Sequence, residues 1–191
     1  KGDIIADGEG YRYWEKDNHL RIYKGEFRNG VPNGNGVILN YMRDSSKDDL
    51  KITQVFRGEI YNAVPDGYGV RQIFDENEEV VRISGGIFSN GLLDGYGYEI
   101  NRNENNEETR VQGFFENDYI NKGILIYSDN SKYEGELSNG IASGKGSRKW
   151  NDGETYQGDW ENGVPHGSGV YKYKDLKQDS EGNMVQKKGG K

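Results

Sequence analysis

The sequence contains no cysteine, which removes disulfide frameworks and thiolate chemistry, whether nucleophilic or metal-binding. That absence fits a reducing, cytoplasmic setting. Only two histidines occur, His19 and His166, and without cysteine they cannot complete a zinc set. Large aliphatics are scarce: Leu, Ile, Val and Phe make up about a fifth of the 191 residues, near the level at which composition alone suggests disorder. No apolar run reaches the roughly eighteen residues of a membrane-spanning helix. An excess of positive charge is missing too. With 25 Lys+Arg against 32 Asp+Glu and a net charge of -7, nucleic acid is a poor default partner. Lysines scattered among acids also make anionic lipid an improbable one. The opening "KGDII" has no apolar signal-peptide core, and the expectation is a piece of a longer chain.

Glycine and tyrosine are what the chain has in quantity, 29 and 14 respectively, and they recur in register. In "YQGDWENGVPHGSGVYKY" (156–173), strand alternation puts Tyr156, Gly158 and Trp160 on one face. Gly167, Gly169, Tyr171 and Tyr173 share a face on the returning strand. A bare strand glycine covered by a neighbouring ring is an aromatic-rescue arrangement. Asn162-Gly163 between the strands accepts positive φ and reads as a hairpin turn.

The same pattern appears as "YKGEFRNGVPNGNGV" from Tyr23, "FRGEIYNAVPDGYGV" from Phe56 and "SGGIFSNGLLDGYGY" from Ser84. It returns as "VQGFFENDYINKGIL" from Val111 and "YEGELSNGIASGKGS" from Tyr133. The first-strand glycines Gly25, Gly58, Gly86, Gly113, Gly135 and Gly158 are separated by 33, 28, 27, 22 and 23 residues. The base period is therefore 22 to 23, with extra residues between hairpins. "DGEGYRY" from Asp7 matches a second strand alone, a partial unit over 7–22.

This pattern resembles MORN repeats, roughly Tyr-x-Gly-x-Trp-x-Asn-Gly followed by a Gly-x-Gly strand. The resemblance covers Asp7 to Tyr173. Departures are Ser84 and Val111 in place of Tyr, Ala63 and Asp118 in place of the turn Gly, and a fourth unit that keeps Gly123 alone of its Gly-x-Gly pair. The resemblance implies an all-β fold: a single-layer, elongated antiparallel sheet of stacked hairpins spanning residues 1–173. A lone hairpin is marginal in water, so neighbours must share a continuous aromatic surface. The structural positions are then Gly25, Gly58, Gly86, Gly135, Gly158, Gly167 and Gly169, with Phe27, Phe88, Phe115 and Trp160. Together with Ile60 and Leu137, those large residues should form one row.

Three connections are lengthened: Met42 to Gln54, Asp75 to Ile83 and Asn101 to Arg110. They read as surface excursions or as strand extensions with a tip. The tail 174–191 has no apolar period and reads as a linker or extended segment, with a short helix over the last hairpin as the alternative.

Chemistry is sparse. His166 occupies the pre-glycine position that also holds Asn33, Asp66, Asp94 and Ser143, and reads as a turn former. "DENEE" lacks the alternating ligands and central glycine of a calcium loop. Each Gly-x-Gly leads into a strand rather than a phosphate-cradling helix. No catalytic, metal or cofactor residues are assigned.

In the earlier units the large residues after the second glycine fall one position off. Leu39, Tyr41, Phe74, Tyr98 and Ile100 thereby alternate onto the opposite face. Either a bulge restores the parity or the second face meets a partner. On the second reading these five residues bind protein, and the chain is a non-catalytic scaffold for other proteins of a larger assembly, with a homodimer among the possibilities. The resemblance adds the cilium, the flagellar axoneme and its radial spokes, and the cytoskeleton as candidate locations. It also carries two alternatives: a phosphoinositide- or membrane-docking adaptor, and the repeat domain of a larger enzyme.

Overall fold

The computed structural model describes residues 7–44 and 49–174, and the backbone of 176–178 and 184–186. Thirteen strands form one open antiparallel sheet in sequence order. They are β1 (Gly8–Lys16), β2 (His19–Arg28), β3 (Val31–Asp44), β4 (Asp49–Tyr61), β5 (Val64–Phe74), β6 (Val80–Ser89) and β7 (Leu92–Arg102). After them come β8 (Glu108–Glu116), β9 (Tyr119–Ile126), β10 (Lys132–Ser138), β11 (Ile141–Lys149), β12 (Thr155–Glu161) and β13 (Val164–Lys172). The all-β stacked-hairpin expectation holds. In the tail, expected to be a linker or extended segment with a short helix as the alternative, β14 (Leu176–Gln178) is extended and pairs with β15 (Met184–Gln186) as a separate two-stranded sheet. The other tail residues beyond Lys174 lie outside the described ones.

Register makes the glycines one continuous feature. Gly10, Gly25, Gly36, Gly58, Gly69, Gly86 and Gly97 pair in turn across β1 to β7. Gly113, Gly123, Gly135, Gly146, Gly158 and Gly169 continue the ladder across β8 to β13. The backbones leave no room for side chains here: a Cβ on Gly25 would lie 2.5 Å from the Gly36 Cα. The covering rings are also in place, Tyr23 over Gly36, Phe56 over Gly69, Tyr133 over Gly146 and Tyr156 over Gly169.

The sheet is creased along this ladder. Arg21 is level with Asn40 and Gln54 across β2, β3 and β4, and Ala63 lies nine residues beyond Gln54. On a flat strand that is about 30 Å. Arg21 Nη2 nevertheless donates to the Ala63 carbonyl at 2.6 Å. The hairpin ends are therefore folded back over the face that carries the tyrosines. Tyr23 and Phe27 consequently meet edge to face at 5.3 Å, as do Tyr156 and Trp160. The Tyr23 hydroxyl donates to the Glu26 carbonyl at 2.6 Å, and Tyr133 repeats this with Glu136. Burial, reinforced by Glu26, pushes the Tyr23 phenol up to about 12. One sheet thus makes its own two-sided core from Tyr23, Phe27, Phe56, Ile60, Phe88, Phe115, Tyr133, Leu137 and Trp160, all buried.

Each fold-back uses a bulge. Between Gly25–Gly36 and Phe27–Pro32, one residue of β2, Glu26, opposes three of β3, Asn33 to Asn35. Gly34 sits in that bulge with φ 114. Glu26 caps it, accepting the Asn35 N–H at 3.1 Å. Gly167 is the equivalent residue of the last hairpin and lies beside the Asp159 carboxylate, not beneath a ring as alternation predicted. Asn33, Asp66, Asp94, Ser143 and His166 likewise belong to bulges within second strands rather than to turns. The turns are the Asn-Gly pairs, both residues at positive φ, as at Asn29 (50°) and Gly30 (73°). In the fourth hairpin the corresponding bulge has one residue fewer, which accounts for its missing glycine.

Ala63 and Asp118 keep the turn geometry, at φ 64 and 68, despite a cost of about 1 kcal/mol for an L side chain. Asp118 has a compensation. Its carboxylate takes both Arg71 Nη2 (2.6 Å) and Nη1 (3.3 Å) and also the Leu93 N–H (2.8 Å). Arg71 lies over the Phe88 ring at 5.3 Å and directly opposite Ser84. It occupies the side of the fold where other units place Tyr. Two departures from the repeat, Ser84 and Asp118, are therefore linked through Arg71.

Gly36→Ala should lower stability by about 1–3 kcal/mol, since the Tyr23 ring cannot yield without opening the crease. Gly10→Ala, on the edge strand and 3.1 Å from a Phe27 ring carbon, should cost clearly less in the same denaturant titration. Asp118→Gly restores the usual turn residue yet should destabilise by about 1–2 kcal/mol, because it strands the Arg71 guanidinium. Combining it with Arg71→Met should recover most of that loss. A single Asp118→Gly protein that melts above the parent would contradict the compensation.

Candidate protein-docking face

Opposite the buried rows lies an outer face with no described element packed upon it; the main inter-element contacts run between sheet neighbours. One ladder row crosses this face from end to end. Its first half runs Tyr13, Ile22, Leu39, Val55, Gln72, Ile83 and Ile100 through β1 to β7. Its second half runs Arg110, Ile126, Lys132, Lys149, Thr155 and Lys172 through β8 to β13. The row is apolar first, save for Gln72, and mainly basic afterwards, with Ile126 and Thr155 among the basic residues.

No bulge restores parity for the five offset residues. Leu39 pairs with Ile22 and Tyr41 with Leu20, in unbroken alternation from Gly36. The irregularity near Tyr41 places its additional residue, Thr53, in β4, and the one near Phe74 places Val81 in β6. Leu39, Tyr41, Phe74 and Ile100 are half-buried, and Tyr98 is 39% exposed. All five project onto the outer face.

The lengthened connections explain the extent of this surface. They are strand extensions, carrying β3 to Asp44, β5 to Phe74 and β7 to Arg102. A second apolar row, Leu20–Tyr41–Ile52 with Phe74–Val80, exists through these added residues. The tip after β5 is closed by Asp75, whose carboxylate accepts the N–H groups of Asn77 and Glu79 at 2.9 Å each. Those bonds, chiefly the one from Glu79, hold its carboxyl below the usual range. The acids of "DENEE" are thereby engaged in a turn, and no group of three metal-ligating side chains occurs among the described residues.

Tyr98 has a second role that alternation could not reveal. Its ring covers Gly85 on the outer face, with Cζ 2.6 Å from where a Cβ would stand. Ile22, Val55, Ile52 and Ile83 belong to the same surface and went unassigned, because they precede the repeat glycines in their strands. Alternation counted back from Gly25, Gly58 and Gly86 would have found Ile22, Val55 and Ile83, whereas Ile52 joins this face only through the additional residue Thr53. The basic half was also missed: lysines scattered in sequence become aligned only through register.

The MORN repeat family model matches residues 23–39, 86–104, 133–155 and 156–176. The chain is a MORN-repeat protein. The hairpins beginning at Phe56 and Val111, which carry Ala63 and Asp118 in their turns, fall outside the matched segments. No curated protein matches the chain. MORN repeats generally serve in protein or membrane binding, and this family and its all-β repeat fold are typically non-enzymatic.

Proposed function

We propose that this MORN-repeat chain is a non-catalytic scaffold whose outer face docks other proteins of a larger assembly. The observation that carries the reading is the largely apolar row Ile22, Leu39, Val55, Ile83 and Ile100, interrupted at Gln72, with Val55 itself buried among its neighbours, and doubled by Tyr41, Ile52 and Phe74. A sheet whose core already lies inside its own crease has no folding need for that surface. Apolar anchors bordered by charged side chains are the anatomy of an interface. Arg102 and Arg110 flank it, both paired with Glu108.

Membrane docking is the second reading, and the row Lys132–Lys149–Lys172 favours it. An adsorbed lipid surface gains about 1 kcal/mol per clustered basic residue. Three lysines on a chain of net charge -7 are a weak attraction beside the apolar row. Placement in a cilium, axoneme or cytoskeleton, and self-association as a homodimer, belong to the same proposal and rest on the family's usual settings.

The test compares the parent with a Leu39→Ser/Ile83→Ser/Ile100→Ser variant of matched melting temperature. Both serve as bait in an extract of the cells that make the protein, and both are mixed with phosphatidylserine vesicles. The scaffold reading expects a defined set of proteins retained by the parent and lost by the variant, with both proteins staying below the floated vesicles. Identical retained sets, or flotation of the parent, would overturn it.

A further inference from the structure

We infer that the outer face takes one continuous helical segment of a partner protein, built as an apolar block followed by an acidic block. This rests on the reading of that face as a protein-docking surface and adds the chemistry of its occupant.

Charge complementarity carries the inference. The outer row turns from mainly apolar to mainly basic across β8 and β9, where Arg110 and Ile126 stand, and Lys132, Lys149 and Lys172 follow on β10, β11 and β13. All three are exposed, and among the described residues none has an ion-pair partner. Lys132 and Lys149 are direct cross-strand neighbours, an arrangement of like charges that costs stability. A shallow depression of about 270 Å³ runs along them, lined also by Glu134, Arg148, Thr155 and Gln157, so that its basic groups outnumber its one carboxylate. An acidic ligand lying there removes the repulsion and supplies the missing counter-charges. The apolar half, in contrast, offers Ile22, Leu39, Ile83 and Ile100 with no charge in the row.

The occupant's conformation follows from its backbone. Apart from the edge strand β13, the strands it would lie across are already hydrogen-bonded on both sides, so the sheet face offers no free N–H or C=O groups. A segment seated there must satisfy its own backbone, as a helix does. With strands about 4.8 Å apart, β2 to β7 spans about 24 Å and β10 to β13 about 14 Å. At 1.5 Å per residue these lengths correspond to about 16 apolar-faced and about 10 acidic residues, joined by about 10 more over the roughly 14 Å from β7 to β10.

Three fluorescein-labelled synthetic helices test this by anisotropy against the whole chain. One joins an amphipathic Leu/Ala block to a Glu block, one joins the same block to a Lys block, and one scrambles the apolar positions before the Glu block. The first should bind about tenfold tighter than the second, and the margin should shrink as salt rises from about 50 to about 300 mM. Lys132→Glu/Lys149→Glu/Lys172→Glu should reverse the preference between Glu and Lys blocks. Leu39→Ser/Ile83→Ser/Ile100→Ser should abolish binding of both. Equal affinity for the Glu and Lys helices would overturn the acidic assignment while leaving the docking face standing. Binding of the scrambled helix as tightly as the first would overturn the joint apolar–acidic occupant. Absence of any helix binding would overturn the proposal, and concentration-dependent sedimentation of the parent lost in the Ser variant would then assign the face to a second copy.

Discussion

Close backbone contact along the glycine ladder is the constraint on which the rest of this structure depends. A sheet rich in tyrosine and poor in aliphatics cannot bury a conventional core between two separate layers. By folding along a line where no side chain intervenes, it brings two of its own rows together. Tyr23 meets Phe27, and Tyr156 meets Trp160, at ring distances that a flat sheet would not favour. The glycines are costly as strand residues. Their return is the approach of the backbones, which lets each ring cover a bare neighbour and reach a bulge carbonyl with its hydroxyl.

A core made inside the crease leaves the outer face free of structural duty, and this separation links fold to function. The apolar residues on that face are most numerous where the strands are longest, over β3 to β7. Extension and apolar surface therefore belong together. Farther along, the hairpins are shorter and the same row turns basic. A repeat array with nearest-neighbour stability tolerates such changes unit by unit, so surface chemistry can vary along the sheet while the inner ladder stays fixed.

Much of the fold was legible because repetition exposes itself: the glycine spacing gave hairpins, order and inner rows. The parity of Leu39, Tyr41 and Ile100 was legible for the same reason, since strand alternation is local. The crease was not, because it requires knowing that Ala63 returns to Arg21 across a long stretch of strand. Nor was the pairing of Arg71 with Asp118, which are 47 residues apart. Asp118 looked like an isolated lapse from the repeat, and Arg71 drew no notice, until register placed them together. The lysine row was hidden in the same way, its members distant in sequence and adjacent only across the ladder. The acid after four of the six repeat glycines, Glu26, Glu59, Glu136 and Asp159, was visible throughout but gained meaning only with the bulge it faces.

The account's central claim is the crease, and a nuclear Overhauser measurement on the isotopically labelled chain tests it most directly. The claim predicts cross-peaks between the Arg21 side chain and Ala63, alongside the interstrand contacts that define the register of β2 to β5. Finding that register intact with no Arg21–Ala63 contact, and no ring contact between Tyr23 and Phe27, would contradict it and return the molecule to a flat sheet.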